Sequence, residues 1–144
     1  MRNVFDSAHG PVADIDFSRN PSMPDSFQKG VEGVLELLRL PGGWNSYAAK
    51  PVAIQNAVLA IHVLAQFLTI DTPAALVVPT VHGGVQLEWH TNGVDLEIYV
   101  ESSKEVTFFA ERVGSEESFE GALLSNEREL ASWLERLPKR HSEP

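Results

Sequence analysis

The 144 residues contain no cysteine. That removes disulfide frameworks and thiolate metal sites, and it fits a reducing, cytoplasmic setting. Positive charge is also scarce: 11 Lys and Arg against 20 Asp and Glu give a formal net charge of −9. A field of that sign repels phosphate backbones, which argues against nucleic acid as a direct ligand. It favours a basic partner, or serves only to keep the protein soluble. Long apolar runs are missing. The most apolar stretch, Val52 to Leu68, is interrupted by Gln55, Asn56, His62 and Gln66 and is short for a membrane span. Met1 to Asp14 has no apolar run behind Arg2, so it does not read as a signal peptide. There is no Gly-rich phosphate loop before a helix, no His-Glu-x-x-His stretch and no Gly-x-Ser-x-Gly elbow. These absences describe a soluble, acidic protein with no cofactor motif and no membrane segment, leaning away from an enzyme.

What is present has the size and composition of one globular domain. Residues 1–24 mix small polar residues with Pro11, Pro21 and Pro24, which reads as a tail or irregular segment. Residues 25–138 carry the elements of a single domain, and 139–144 form a short polar tail. Asp25-Ser26-Phe27-Gln28 has the form of a capping box, with Asp25 as N-cap, opening a helix that buries Phe27, Val31, Val34, Leu35 and Leu38. Gly30 and Gly33 each weaken that helix by roughly 1 kcal/mol relative to Ala. Pro41-Gly42-Gly43 stops it. Pro51 suits the first turn of a second helix running to about Leu68, with Ile54, Ala57, Val58, Ile61, Leu64, Ala65 and Leu68 on its core face. This helix has no charged side chain and is apolar nearly all round, which predicts either a central position or a homodimer through it.

Leu76 to Thr80 is a short β-like run that Pro79 demotes to an edge or a lead-in. Val85 to His90 and Val94 to Val100 alternate apolar and polar residues around Asn92-Gly93, the strongest short-range hairpin signal. Val106 to Glu111 supplies a third strand and Ser118 to Leu123 a fourth. A last helix opens at Asn126 with Glu129 completing a second capping box, buries Leu130, Trp133, Leu134 and Leu137, and ends at Pro138. The expected class is α+β: an antiparallel meander of three to four strands packed on one face by about three helices, a two-layer sandwich.

The hairpin register follows from the two-residue turn. Leu87 opposes Ile98 and Trp89 opposes Leu96 on the core side; His90 opposes Asp95, Glu88 opposes Glu97 and Gln86 opposes Tyr99 on the other. A three-residue loop, Ser102 to Lys104, then sets Glu111 beside Asp95 and Phe109 beside Glu97. One face thus gathers Glu88, Glu97, Asp95 and Glu111 with His90, Gln86 and Tyr99, and no Lys or Arg stands on these strands before Arg112. Like charges directly opposite one another cost some tenths of a kcal/mol. Three explanations are open: solvent or a basic side chain such as Lys50 compensates the Glu88–Glu97 pair, a basic protein docks on it, or it holds a divalent cation or forms an acid/base dyad. The first of these is the bland one. The second makes the chain a non-enzymatic protein-binding domain, antitoxin-, immunity- or inhibitor-like in size and charge. The third makes it a small-ligand or metal-dependent enzyme with Glu88 and Glu97 as paired carboxylates. His82 and His90 lack metal-ligand spacing, and His62 reads as a hydrogen-bonded, partly buried histidine.

Gly43-Trp44-Asn45-Ser46-Tyr47-Ala48-Ala49-Lys50-Pro51 and Gly83-Gly84-Val85-Gln86-Leu87-Glu88-Trp89 resemble a group of small bacterial proteins. That group has a Gly-Trp-(Asp/Asn)-x-Tyr loop before a helix and a Gly-Gly-Val-Gln-Leu-Glu-Trp strand. The similarity spans roughly residues 35 to 137. The group has no established activity, so the resemblance implies a domain of prokaryotic, cytoplasmic origin and assigns no catalytic residue. Trp44 and Tyr47 themselves read either as anchors of a recognition surface or as a staple of the loop onto the core, with Asn45 making turn hydrogen bonds.

Overall fold

The computed structural model describes residues 24–138 apart from Ser46. The segments expected as tails, 1–24 but for Pro24 and 139–144, lie outside the described residues. Among the described residues, three helices and five strands follow one another as α1 (Asp25–Leu37), α2 (Ile54–Phe67), β1 (Leu76–Pro79), β2 (Val85–Thr91), β3 (Val94–Val100), β4 (Thr107–Arg112), β5 (Ser118–Ala122) and α3 (Glu127–Glu135). The class is α+β. The sheet is fully antiparallel with spatial order β1-β2-β3-β4-β5, a five-stranded meander in place of the three to four strands expected. The extra strand is β1. Pro79 has no N–H to give, yet it pairs with Val85 at the end of an edge strand, where a missing donor is tolerated.

The β2–β3 register is the one the turn dictates, with Thr91 opposite Val94 and Leu87 opposite Ile98. Asn92 (φ 55) and Gly93 (φ 75) both take the left-handed conformation that a two-residue turn of this kind requires. The β3–β4 register aligns Ile98 with Phe108 and Leu96 with Ala110. Alternate residues Val85, Leu87, Trp89, Leu96, Ile98, Phe108 and Ala110 are therefore buried under the helices, in one cluster with Val34, Leu64, Leu130 and Trp133.

Several helix details differ from expectation, some for local and some for tertiary reasons. Asp25 is not the N-cap of α1. Phe27 N–H and Gln28 N–H both donate to Pro24 O (3.0 and 3.2 Å), so the helix starts one residue earlier, and Asp25 instead pairs with Lys29 at 3.1 Å. Leu35 and Leu38 are partly exposed while Leu37 turns inward. Gly30 and Gly33 earn their cost by close approach: a Cβ on Gly30 would lie 2.8 Å from Leu64 Cδ1, and one on Gly33 3.0 Å from Val77 Cβ. Pro51 does not open α2, because Lys50 N–H and Ala53 N–H donate to Val81 O and Gly83 O and hold 51–53 against the β1–β2 turn. On α2 the buried face is Ala57, Ala60, Ile61, Val63 and Leu64, whereas Ile54 is 69% exposed and His62 lies at the surface. Asn126 does cap α3 by position, but its side chain donates to Ala122 O (2.8 Å). Glu129 accepts the indole N–H of buried Trp133 (3.0 Å), so the second capping box is not formed.

Asn56, almost fully buried in the first turn of α2, fixes two loops at once. Its Nδ2 donates to Gly83 O (2.7 Å) and its Oδ1 accepts from Ser102 N–H (2.6 Å). At the opposite end of the sheet, Asn92 Nδ2 donates to Arg136 O (2.8 Å) and ties the hairpin tip to the end of α3.

Candidate functional site: the acidic sheet face

The pleat sends the remaining side chains of the sheet to the face away from the helices. The register places Gln86, Glu88 and His90 of β2 beside Tyr99, Glu97 and Asp95 of β3, and Glu111 and Phe109 of β4 beside Asp95 and Glu97. Seven of the nine residues expected at a partner surface therefore share one face. Glu120 joins them: β5 sets it opposite Phe109, so Glu88, Glu97, Phe109 and Glu120 form one row across four strands. Sequence reasoning missed Glu120, although its place in the alternating run Ser118 to Ala122 was a usable signal. None of the five carboxylates (Glu88, Asp95, Glu97, Glu111, Glu120) forms an ion pair with a Lys or Arg among the described residues.

Compensation for the Glu88–Glu97 pair is local instead. Side chains two apart on a strand share a face, and each glutamate uses its neighbour at that spacing. His90 Nε2 lies 3.0 Å from Glu88 Oε1, and His90 Nδ1 lies 2.8 Å from Asp95 Oδ1 across the ladder. Tyr99 donates its hydroxyl to Glu97 Oε2 at 2.5 Å. No Lys or Arg pairs with either glutamate among the described residues, Lys50 included; their partners are the histidine and the tyrosine two residues along each strand.

A neutral imidazole has one N–H, and ionised carboxylates only accept. With both ring nitrogens facing carboxylates, the arrangement is satisfied by the doubly protonated ring. The bonds to Asp95 and then Glu88 accordingly raise the His90 pKa above its ordinary 6.5 against a small opposing desolvation. The Tyr99 hydroxyl is pushed up to about 12, first by its bond to Glu97, then by burial and the nearby carboxylates. The atoms of Glu88, His90 and Glu97 lie within 4.8 Å of one another, a donor set that a divalent cation could take. To bind there it would displace the imidazolium proton and break the bonds just described.

Trp44 and Tyr47 do not join this face. Their loop bonds to itself and to the β1–β2 turn: Trp44 Nε1–H donates to Lys50 O (3.2 Å), Tyr47 N–H to Asn45 Oδ1 (2.9 Å), and Gly43, at φ 74, to Ala49 O (2.7 Å). Asn45 makes the expected turn bond. Tyr47 is 83% exposed and staples nothing. A cleft of about 750 Å³ lies beyond the hairpin tip, lined by Gly93, Arg112, Val113, Glu135 and Arg136, and none of the five carboxylates lines it. There the cations gather: Glu117 takes Arg112 at 3.3 Å and Arg136 at 2.8 Å, and the Arg136 guanidinium lies 4.1 Å over the Trp133 ring.

Comparison with protein-family models, with curated proteins and with solved structures finds no match to the chain. No helix among the described residues is long and apolar enough to cross a membrane.

Proposed function

We propose that the chain is a non-enzymatic protein-binding domain whose acidic sheet face receives a basic protein surface. The observation that carries this is the set of carboxylates across β2 to β5 on the face the helices leave open, none of them ion-paired with a Lys or Arg among the described residues. Such a face steers a basic partner and sets its orientation more than it adds raw affinity. Size and charge fit an antitoxin-, immunity- or inhibitor-like role in a bacterial cytoplasm, and a homodimer through α2, where Ile54 is exposed, belongs to the same proposal. The test compares capture from native lysate by the parent chain and by a Glu88→Gln/Glu97→Gln/Glu111→Gln/Glu120→Gln variant. A basic protein retained stoichiometrically by the parent, and lost both by the variant and at high salt, supports it. Identical capture by both chains sinks it, and light scattering that shows a strict monomer at high micromolar concentration removes the dimer.

The clustering of Glu88, His90 and Glu97 favours one second reading, a small-ligand or metal-dependent enzyme built on the two glutamates. Thermal shifts with Mn²⁺ and Zn²⁺ that vanish in Glu88→Gln/Glu97→Gln, without any protein partner, would put that reading first.

A further inference from the structure

Between β3, β4 and β5 the acidic face is not flat. Thr107 opposes Tyr99 on one side and Ala122 on the other, and Phe109 stands next along β4 between Glu97 and Glu120. Short side chains beside long ones leave a hollow of about 210 Å³, lined by Tyr99, Thr107, Phe109, Glu120 and Ala122. Small-molecule sites run to roughly 300–1,000 Å³, so this one is sized for a single side chain.

Its walls specify which side chain. Two aromatic rings and a carboxylate line it, and a second carboxylate, Glu97, is held at its edge by the Tyr99 hydroxyl. That hydroxyl stays protonated through the neutral range, so the bond that fixes the ring persists. Lys104, which lines an adjoining cleft with Tyr99, is drawn 3.8 Å from Glu101 instead. No Lys or Arg of the described residues lines the hollow, so the cation that fills it is supplied from elsewhere. Aromatic faces with flanking carboxylates favour a planar, weakly hydrated guanidinium, which stacks and forks, over a compact, strongly hydrated ammonium.

We propose that this hollow receives one arginine side chain of a basic protein partner, its guanidinium set against Phe109 and Tyr99 between the carboxylates of Glu97 and Glu120. The proposal rests on the acidic-face reading and locates the contact that fixes the partner's register on it. The test uses the full chain with hexa-arginine and hexa-lysine peptides, followed by calorimetry and by amide shifts. Hexa-arginine is expected to bind about three- to tenfold more tightly, the worth of one partly exposed cation–π contact. The largest shifts should fall at Phe109, Glu120 and Ala122. Filling the hollow by Ala122→Leu, or removing an aromatic wall by Phe109→Ala, should abolish the preference and leave hexa-lysine binding unchanged. Should Ala122→Leu fail to fold, Glu120→Gln on the exposed rim removes one carboxylate and should weaken both peptides, hexa-arginine more than hexa-lysine, so that the preference shrinks. Equal binding of the two peptides, with shifts centred on Glu88 and Asp95, overturns the hollow and leaves the acidic face standing as an undifferentiated field. Binding of neither peptide at low salt overturns both.

Discussion

Strands β2 and β3 present two faces built from alternate residues of the same chain, and the two obey different physics. Leu87, Leu96 and Ile98 are out of water and interlocked with helices, so their worth is apolar area and packing. Glu88, Glu97 and His90, one residue along, keep contact with solvent; His90 holds Glu88 by charge and hydrogen bonding, and Glu97 takes the Tyr99 hydroxyl. The buried face fixes the fold and tolerates little. The open face is tuned by pH and salt and is free to carry a function.

The sharpest way to break that contrast is to truncate neighbours. Phe108→Ala should cost about 3–5 kcal/mol and Leu96→Ala about 2–5 kcal/mol, read by urea unfolding. Glu97→Ala, one position away from Leu96, should stay within about 1 kcal/mol, as partly solvated surface changes do. A Glu97→Ala loss equal to that of Leu96→Ala would erase the distinction between the faces.

Next in size is a polar group on the wrong side of the contrast. Asn56 is buried yet satisfied at both ends, so Asn56→Leu should leave Ser102 N–H unpaired, reduce Gly83 O to its bond from Ala53 N–H, and cost about 1–3 kcal/mol. Faster amide exchange at Ser102 would locate the damage, and exchange unchanged there would show that water replaces the side chain.

The open face should respond to pH. The folded-state pKa of His90 is raised, so its stabilising contribution is complete below the ordinary 6.5 and is lost as pH climbs through the higher folded value. Over the same interval the face gains one negative unit, so affinity for a basic partner should rise. Proton NMR titration of the His90 ring should give a midpoint above 6.5 in the parent and a lower one in Asp95→Asn. A midpoint at or below 6.5 in the parent would mean that the two carboxylates do not share the ring. Tyr99 should titrate near 12 by ultraviolet absorbance, falling back toward 10 in Glu97→Gln.

The smallest effect is the most diagnostic. Glu88→Gln/Glu97→Gln should be more stable than the parent by some tenths of a kcal/mol above the His90 midpoint, where repulsion is uncompensated. Below it, where the imidazolium already neutralises Glu88, that advantage should disappear. A variant less stable at every pH would show that local pairing outweighs the repulsion throughout.

Much of this was legible from sequence because a period of two, once pinned by Asn92-Gly93, leaves no freedom in the hairpin register. The same alternation contained the partners of the two glutamates, since Glu88-x-His90 and Glu97-x-Tyr99 necessarily share a face. Reading opposition across the ladder alone overlooked neighbours along it. The first capping box failed because Pro24 O takes the first free N–H groups and Asp25 pairs with Lys29, and the second because Trp133 needed an acceptor for its buried indole and Glu129 supplied it. Pro51 suited a helix start, but the β1–β2 turn claimed the backbone around it. The hollow could not be foreseen, as it depends on the register of β5 against β4, which no tight turn dictates. Trp44 and Tyr47 were grouped with the site by residue type, and chemistry without register places nothing.

The meander has a consequence for how the chain finds its shape. Each strand pairs only with its neighbours in sequence, so no strand waits for a distant segment to arrive. Once the Asn92-Gly93 hairpin closes, β1 and β4 add by short loops, 80–84 and 101–106, and β5 follows through 113–117. Closure entropy over such loops is small and grows only slowly with length. A sheet of this connectivity can zip outward from its centre, and local connectivity of that kind goes with fast folding among sheet proteins. The two-residue turn that sets the acidic register is then also the step from which the zipping starts. Replacing Gly93 by a β-branched residue should slow refolding more than it speeds unfolding, a split that a chevron plot resolves.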